Sequence, residues 1–148
     1  MSVLVDTNVL LRRIQPDHMH HALAIDSVAR LLATGEQVHF TSQNICEFWN
    51  VMTRPIANNG LGFSPSFALS EVGKIEMVLA LLPDSPAAYE EWKRIVSAHA
   101  VSGAKVHDAR LVAVMKVQGV RRILTFNTGD FARFDIETLH PSAVVSAP

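Results

Sequence analysis

Short apolar runs alternate along this chain with segments whose apolar residues recur at helical spacing, and that alternation narrows the fold more than any other feature. Residues 2–5, 37–40, 79–83, 122–125 and 136–139 read as strands. Residues 7–13, 21–33, 44–53, 66–78, 86–99 and 108–118 read as the helices between them. Local punctuation agrees. Thr41-Ser42 is a helix start, Gly35 and Gly119 stand where helices end, and Pro86 fits a first turn. Ile45, Phe48, Trp49 and Met52 form one helical stripe, which Arg54-Pro55 ends. Strands separated by helices pair in parallel, so the expected architecture is a three-layer α/β/α sandwich around a parallel sheet of four to five strands. In such an open sheet a site lies beyond the carboxyl ends of the strands. Residues 55–66, PIANNGLGFSPS, form a loop long enough to have a role of its own.

Bulk properties exclude several classes. The 148 residues suit one domain spanning 1–148. With 49% apolar and 18% charged residues, the composition is not that of a disordered tail. No apolar run approaches the roughly 20 residues of a membrane span, and the one at 78–82 stops at Pro83. The opening MSVLVDTN lacks a basic region and Asp6 interrupts its apolar run, which argues against a signal peptide. A single cysteine, Cys46, leaves neither an internal disulfide nor a multi-cysteine zinc site, and nothing nearby marks it as reactive. A soluble, cytoplasmic protein is expected. Thirteen basic and 14 acidic residues give a net charge of −1, so a polyanion would have to be gripped by local arginines or bound cations.

Four acids stand where chemistry is expected. Asp6 directly follows the first strand, Asp130 lies in the loop after the fourth, Asp108 opens a helix, and Glu47 lies early in another. Each has an ordinary explanation. Asp6 and Asp108 could cap helices, and Asp130 could be a turn residue beside Gly129. Glu47 points away from the apolar stripe, beside Asn44, Asn50, Val51 and Arg54, and alone reads as a solvated acid. Asp108, however, shares a face with Leu111, Val112 and Met115, where a carboxylate is costly unless paired or bound to a cation. Four carboxylates at one sheet edge would repel until some were protonated or neutralised by cations. Ligation by oxygen alone selects hard ions such as Mg2+ or Mn2+ over zinc. One or two such ions suit phosphodiester hydrolysis, in which they activate water and stabilise the leaving oxygen.

The segments VLVDTNVLLR, SQNICEFWNVMTRP, VHDARLVAVM and RILTFNTGDF, in this order and over essentially the whole chain, resemble the PIN domain family. They are most similar to the VapC-type ribonuclease toxins of type II toxin–antitoxin systems, and TRP followed by NGLG looks like one bacterial branch of them. The resemblance implies that Asp6, Glu47 and Asp108 are the best-defined acids, with Asp6 and Asp108 as direct metal ligands. The family's fourth acid falls at either of two places in its T-x-N-x-x-D-F block. Here Asn127 stands at one and Asp130 at the other; Asp130 is the expected acid, and Asn127 a polar neighbour that orients a ligand or water. Thr7, Asn8 and Thr125 are implied as hydrogen-bonding supports. The family further implies endonucleolytic cleavage of RNA by water activated at Mg2+ or Mn2+, and a homodimer. It also implies inhibition by a small cognate antitoxin whose C-terminal segment enters the active-site groove. Whether one ion or two are used stays open.

Other residues carry weaker signals. Arg12, Arg13, Arg54, Arg110, Arg121, Arg122 and Arg133 are candidate phosphate contacts, though most suit ordinary surface charges. Arg54 is favoured because it shares Glu47's face two turns later. Phe48 and Trp49 belong to the core stripe, His107 is expected to pack or cap, and His18, His20 and His21 are expected to face solvent. The expected function is a metal-dependent ribonuclease. The alternative is a non-catalytic PIN-like module that binds RNA or a protein, which the intact set of repelling acids disfavours. A phospho-acceptor receiver needs a second acidic cluster and a late lysine. A haloacid-type phosphatase needs D-x-D-x-T, whereas Asp6 is followed here by Thr7-Asn8-Val9.

Overall fold

Val3, Leu4 and Val5 are fully buried, and because successive side chains of a strand point to opposite faces, helices must cover the sheet on both sides. The computed structural model, which describes residues 1–148, has that arrangement. Strands β1 (Ser2–Val5), β2 (Gln37–Thr41), β3 (Ala80–Leu82), β4 (Arg122–Leu124) and β5 (Glu137–Leu139) form one all-parallel sheet in the order β3-β2-β1-β4-β5. The register aligns Val3 with Val38 and Val5 with Leu124. Helices α1 (Thr7–Arg12), α2 (His21–Ala33), α3 (Ser42–Thr53) and α4 (Pro65–Val78) pack on one face. There Val3 and Val5 meet Leu10, Phe48, Met52 and Ile75. Helices α5 (Pro86–Ala98) and α6 (Val106–Val117) cover the other, where Leu4 meets Ile95, Leu111 and Met115. The expected α/β/α sandwich is therefore found, with five strands.

Three details differ from expectation. Helix α6 starts at Val106, so Asp108 lies in its first turn and does not cap it. A short helix α7 (Pro141–Ser146), with Pro141 in its first turn and His140 as cap, packs through Val144 against the first face. The loop at 55–66 is laced back onto the end of α3. Leu61, Gly62 and Phe63 donate backbone N–H bonds to the carbonyls of Val51, Arg54 and Met52. No helix is long and apolar enough to cross a membrane.

The chain order places the site. From β1 the chain builds outward to β2 and β3, then returns to lay β4 and β5 on the opposite side. The order reverses between β1 and β4, and the crevice beyond their carboxyl ends is where such sheets bind ligands.

Candidate active site

Asp6 is the first residue past β1 and Thr125 the first past β4, so the two strands present them side by side at this crevice. Asp6 also caps α1, its Oδ1 accepting the Thr7 N–H at 2.8 Å. Its Oδ2 accepts from Thr125 Oγ1 at 2.8 Å and from Asn8 Nδ2 at 3.3 Å. Asn8 spans the gap: its Nδ2 reaches Thr125 Oγ1 at 3.1 Å while its Oδ1 accepts the Phe126 N–H. Capping and site placement thus coincide in one carboxylate that is 9% exposed.

Glu47 is brought in by α3. Thr41 caps that helix and forms a reciprocal capping box with Asn44. Asn44 Nδ2 in turn donates to Thr7 Oγ1 at 3.0 Å, and Thr7 Oγ1 donates to Glu47 Oε2 at 2.7 Å. Gln43 Nε2 holds the other oxygen, Oε1, at 2.8 Å and also bonds the His107 carbonyl at the start of α6. Glu47 is half-buried against α1, because the polar side of α3 faces Thr7.

Asp108 is half-buried in the first turn of α6, where the N-terminal end of the helix favours a negative charge. Asp130 lies in a tight turn, Thr128–Phe131, after β4. Lys105 joins the two, its Nζ 2.7 Å from Asp130 Oδ1 and 3.8 Å from Asp108 Oδ2. Asn127 is exposed beside them, its backbone N–H donating to Thr125 Oγ1.

The electrostatics couple these groups. Burial first of all raises the Asp6 carboxyl from its ordinary 3.8 to about 6; Thr125 and Thr7 oppose this, and the charges of Glu47 and Asp108 add to it. Asp108 is raised in the same direction, mainly by burial, with Lys105 opposing and Asp130 and Glu47 adding. Lys105 is held above its ordinary value by its bond to Asp130. No three potential ligand side chains converge closely enough to enclose one ion. Asp6 and Glu47 instead rest on their own donors, and Asp108 and Asp130 on Lys105. The donor set is oxygen alone, and a carboxyl raised to about 6 mainly by burial, with two acidic neighbours adding to it, is one whose charged form a hard cation favours. The residues therefore fit a Mg2+ or Mn2+ ion.

Residues 3–137 match the model of the PIN domain family. The chain belongs to that family. The PIN domain is similar in structure to a chain of VapBC2 from Rickettsia felis, solved bound to a DNA fragment from its promoter. That match has a TM-score of 0.70 and 12% identity, and it covers 94% of this chain and 98% of that one. For VapBC-1 of nontypeable Haemophilus influenzae the TM-score is 0.69 at 10% identity, covering 96% and 99%. For VapC20 of Mycobacterium tuberculosis, described as a sarcin-ricin loop cleaving toxin, it is 0.62 at 18% identity, covering 91% and 97%. At these identities the likeness is one of fold. No curated protein matches the chain significantly by sequence.

Around the PIN domain's acids the sequence reading misses Gln43, Asn44 and Lys105. Their signals are spacings: Gln43 four residues before Glu47, Asn44 three after the Thr41 cap, and Lys105 three before Asp108. Arg54 lies seven residues beyond Glu47, about 10 Å along the helix, and its Nη2 donates to the Asn59 carbonyl in the following loop. Arg110 pairs with Asp84 at 2.8 Å. The histidines expected in solvent are half-buried: the His20 ring stacks on Phe126 at 4.5 Å, and His21 Nδ1 donates to the Arg12 carbonyl. The His107 side chain is exposed, and only its carbonyl is engaged.

Proposed function

We propose that the chain is a divalent-metal-dependent endoribonuclease and the toxin of a type II toxin–antitoxin pair. The observation that carries this reading is that Asp6, Glu47 and Asp108 border the crevice where the strand order reverses, with the Asp6 carboxyl raised to about 6 by burial and further by the charges of the other two. Asp6 and Asp108 would hold Mg2+ or Mn2+, with Glu47 and Asp130 adding oxygens around it. Such an ion, when bound, supplies a Lewis acid for a phosphate oxygen and lowers the pKa of water.

The chain's own part is positional. Thr125 and Asn8 fix one oxygen of Asp6, and the Thr7 N–H fixes the other. The Thr7 hydroxyl and Gln43 each hold one oxygen of Glu47, leaving lone pairs to accept the proton of the attacking water. As the water oxygen bonds to phosphorus, the bond from phosphorus to the leaving oxygen breaks. Asn127, exposed at the rim, would orient phosphate or water.

The toxin reading draws support from the solved relatives, which include VapBC complexes and a toxin that cleaves the sarcin-ricin loop. Apolar surface for protein partners is also present. A groove of about 200 Å3 between α1, α2 and α4 is lined by Leu10, Ile25, Val28 and Ile75, and α4 exposes Leu69 and Met77. A small antitoxin and a second copy of the chain are the partners we infer. The test is incubation with a mixed RNA pool in EDTA, Mg2+ or Mn2+, beside the Asp6→Asn variant. Cleavage that needs the metal and vanishes in the variant is expected. Metal-independent cutting, or equal cutting by the variant, would overturn the reading, and RNA binding without cutting in any metal would favour a non-catalytic module.

A further inference from the structure

The two halves of the site are neutralised differently. Asp6 and Glu47 accept hydrogen bonds only from neutral groups: the Thr7 N–H and hydroxyl, Asn8, Thr125 and Gln43. Neither forms an ion pair. Asp108 and Asp130, which come from different elements, instead share one ammonium. Lys105 closes a one-turn segment, Gly103–Lys105, that leads directly into α6, so the backbone delivers its side chain to the carboxylates from outside.

We propose that Lys105 is the resident cation of the outer half of the site, standing where a second divalent ion would otherwise bind, so that the chain takes up one divalent ion and not two. The inference rests on the metal-nuclease reading above and deepens it. Two-ion sites hold their ions about 3.5–4 Å apart, each drawing on carboxylate oxygens. The oxygens that an outer ion would need, Asp130 Oδ1 and Asp108 Oδ2, are those nearest to Lys105 Nζ. An ammonium is a compact point charge with three N–H donors. One of them bonds Asp130 Oδ1 at 2.7 Å, Asp108 Oδ2 lies at ion-pair distance, 3.8 Å, and the remaining donors are free for a non-bridging phosphate oxygen. Lys105 makes and breaks no covalent bond; it supplies charge and position. The inner acids have no such counter-ion, which leaves that half to the metal, with the second oxygens of Asp108 and Asp130 still open to it.

The experiment counts Mn2+ bound by the full chain without RNA, by equilibrium dialysis and electron paramagnetic resonance, in wild type, Lys105→Met and Lys105→Arg. The Lys105 side chain is 48% exposed, so these variants should fold, which unchanged melting temperatures would verify. One ion is expected in wild type and in Lys105→Arg. Two are expected in Lys105→Met, falling back to one when Asp130→Asn is added. Two ions in wild type, or a single ion of unchanged affinity in Lys105→Met, would overturn the proposal while the metal-nuclease reading stands. No ion bound by wild type would overturn both. In cleavage assays Lys105→Met should need a second, higher Mn2+ transition that wild type lacks, and loss of activity without that transition would also count against the proposal.

Discussion

Thr125 Oγ1 donates to Asp6 Oδ2 at 2.8 Å across the seam between β1 and β4, tying the two sides of the sheet at the point where strand order reverses. The bond favours the charged form of Asp6, yet burial outweighs it and the carboxyl sits at about 6. The folded chain thus binds a proton that the unfolded chain, at 3.8, has already released. Stability should fall as pH rises from about 4 to about 6 and stay lowered above that, by about 3 kcal/mol for the metal-free protein. Asp6→Asn removes this loss. Urea denaturation should find the variant about as stable as wild type at pH 4 and more stable at pH 7.5, with cleavage abolished. A variant less stable at pH 7.5 would contradict the electrostatic account.

The same proton competes with a divalent ion. An ion at Asp6 has to displace it below about pH 6 but not above. Saturable Mn2+ stabilisation should therefore be larger at pH 7.5 than at pH 5, read as the melting-temperature shift at fixed Mn2+. Asp6→Asn should lose most of the shift at both values. Equal shifts in wild type at the two pH values would place the ion elsewhere.

Thr7 joins α1 to α3 through one hydroxyl, which accepts from Asn44 and donates to Glu47. Thr7→Val keeps the shape but leaves a buried amide hydrogen and a carboxylate oxygen without partners. A loss of about 1–3 kcal/mol is expected, together with a fall in kcat larger than the change in KM, because Glu47 loses its orientation. Thr7→Ser should recover most of both. Full activity in Thr7→Val would remove Glu47's placement from the mechanism.

What could be read from sequence followed the physics that acts locally. Asp6 was legible because a residue just past a buried strand must lie at the sheet's carboxyl edge, and Asp108 because a carboxylate shared a face with Leu111, Val112 and Met115. Glu47 was legible only through the family resemblance, because the helical wheel separates apolar from polar sides but does not say what the polar side meets; here it meets Thr7 from another element. Lys105 escaped notice because its partner Asp130 is 25 residues away and only the packing of the turn after β4 beside α6 joins them. The half-buried His20 has the same origin, since its stacking partner Phe126 comes from the end of β4. Helix α7, six residues long, was not read from the sequence although Pro141 stands in its first turn.

Gly60 and Arg54 separate loop architecture from substrate binding. A Cβ on Gly60 would stand 1.9 Å from the Arg54 carbonyl oxygen, a backbone atom that three further loop-to-helix hydrogen bonds hold in register. Gly60→Ala must therefore displace the loop, and a loss of about 3 kcal/mol is expected. Arg54→Gln breaks the bond to the Asn59 carbonyl and should lower stability more mildly, by about 1 kcal/mol. Because the Arg54 guanidinium is engaged in the loop about 10 Å along α3 from Glu47, RNA affinity per folded molecule should be unchanged in both variants. Anisotropy with a labelled single-stranded RNA in EDTA, paired with urea melts, separates the two effects. A selective loss of RNA affinity in Arg54→Gln, without a stability change, would restore Arg54 to the phosphate-binding role that its spacing from Glu47 had indicated.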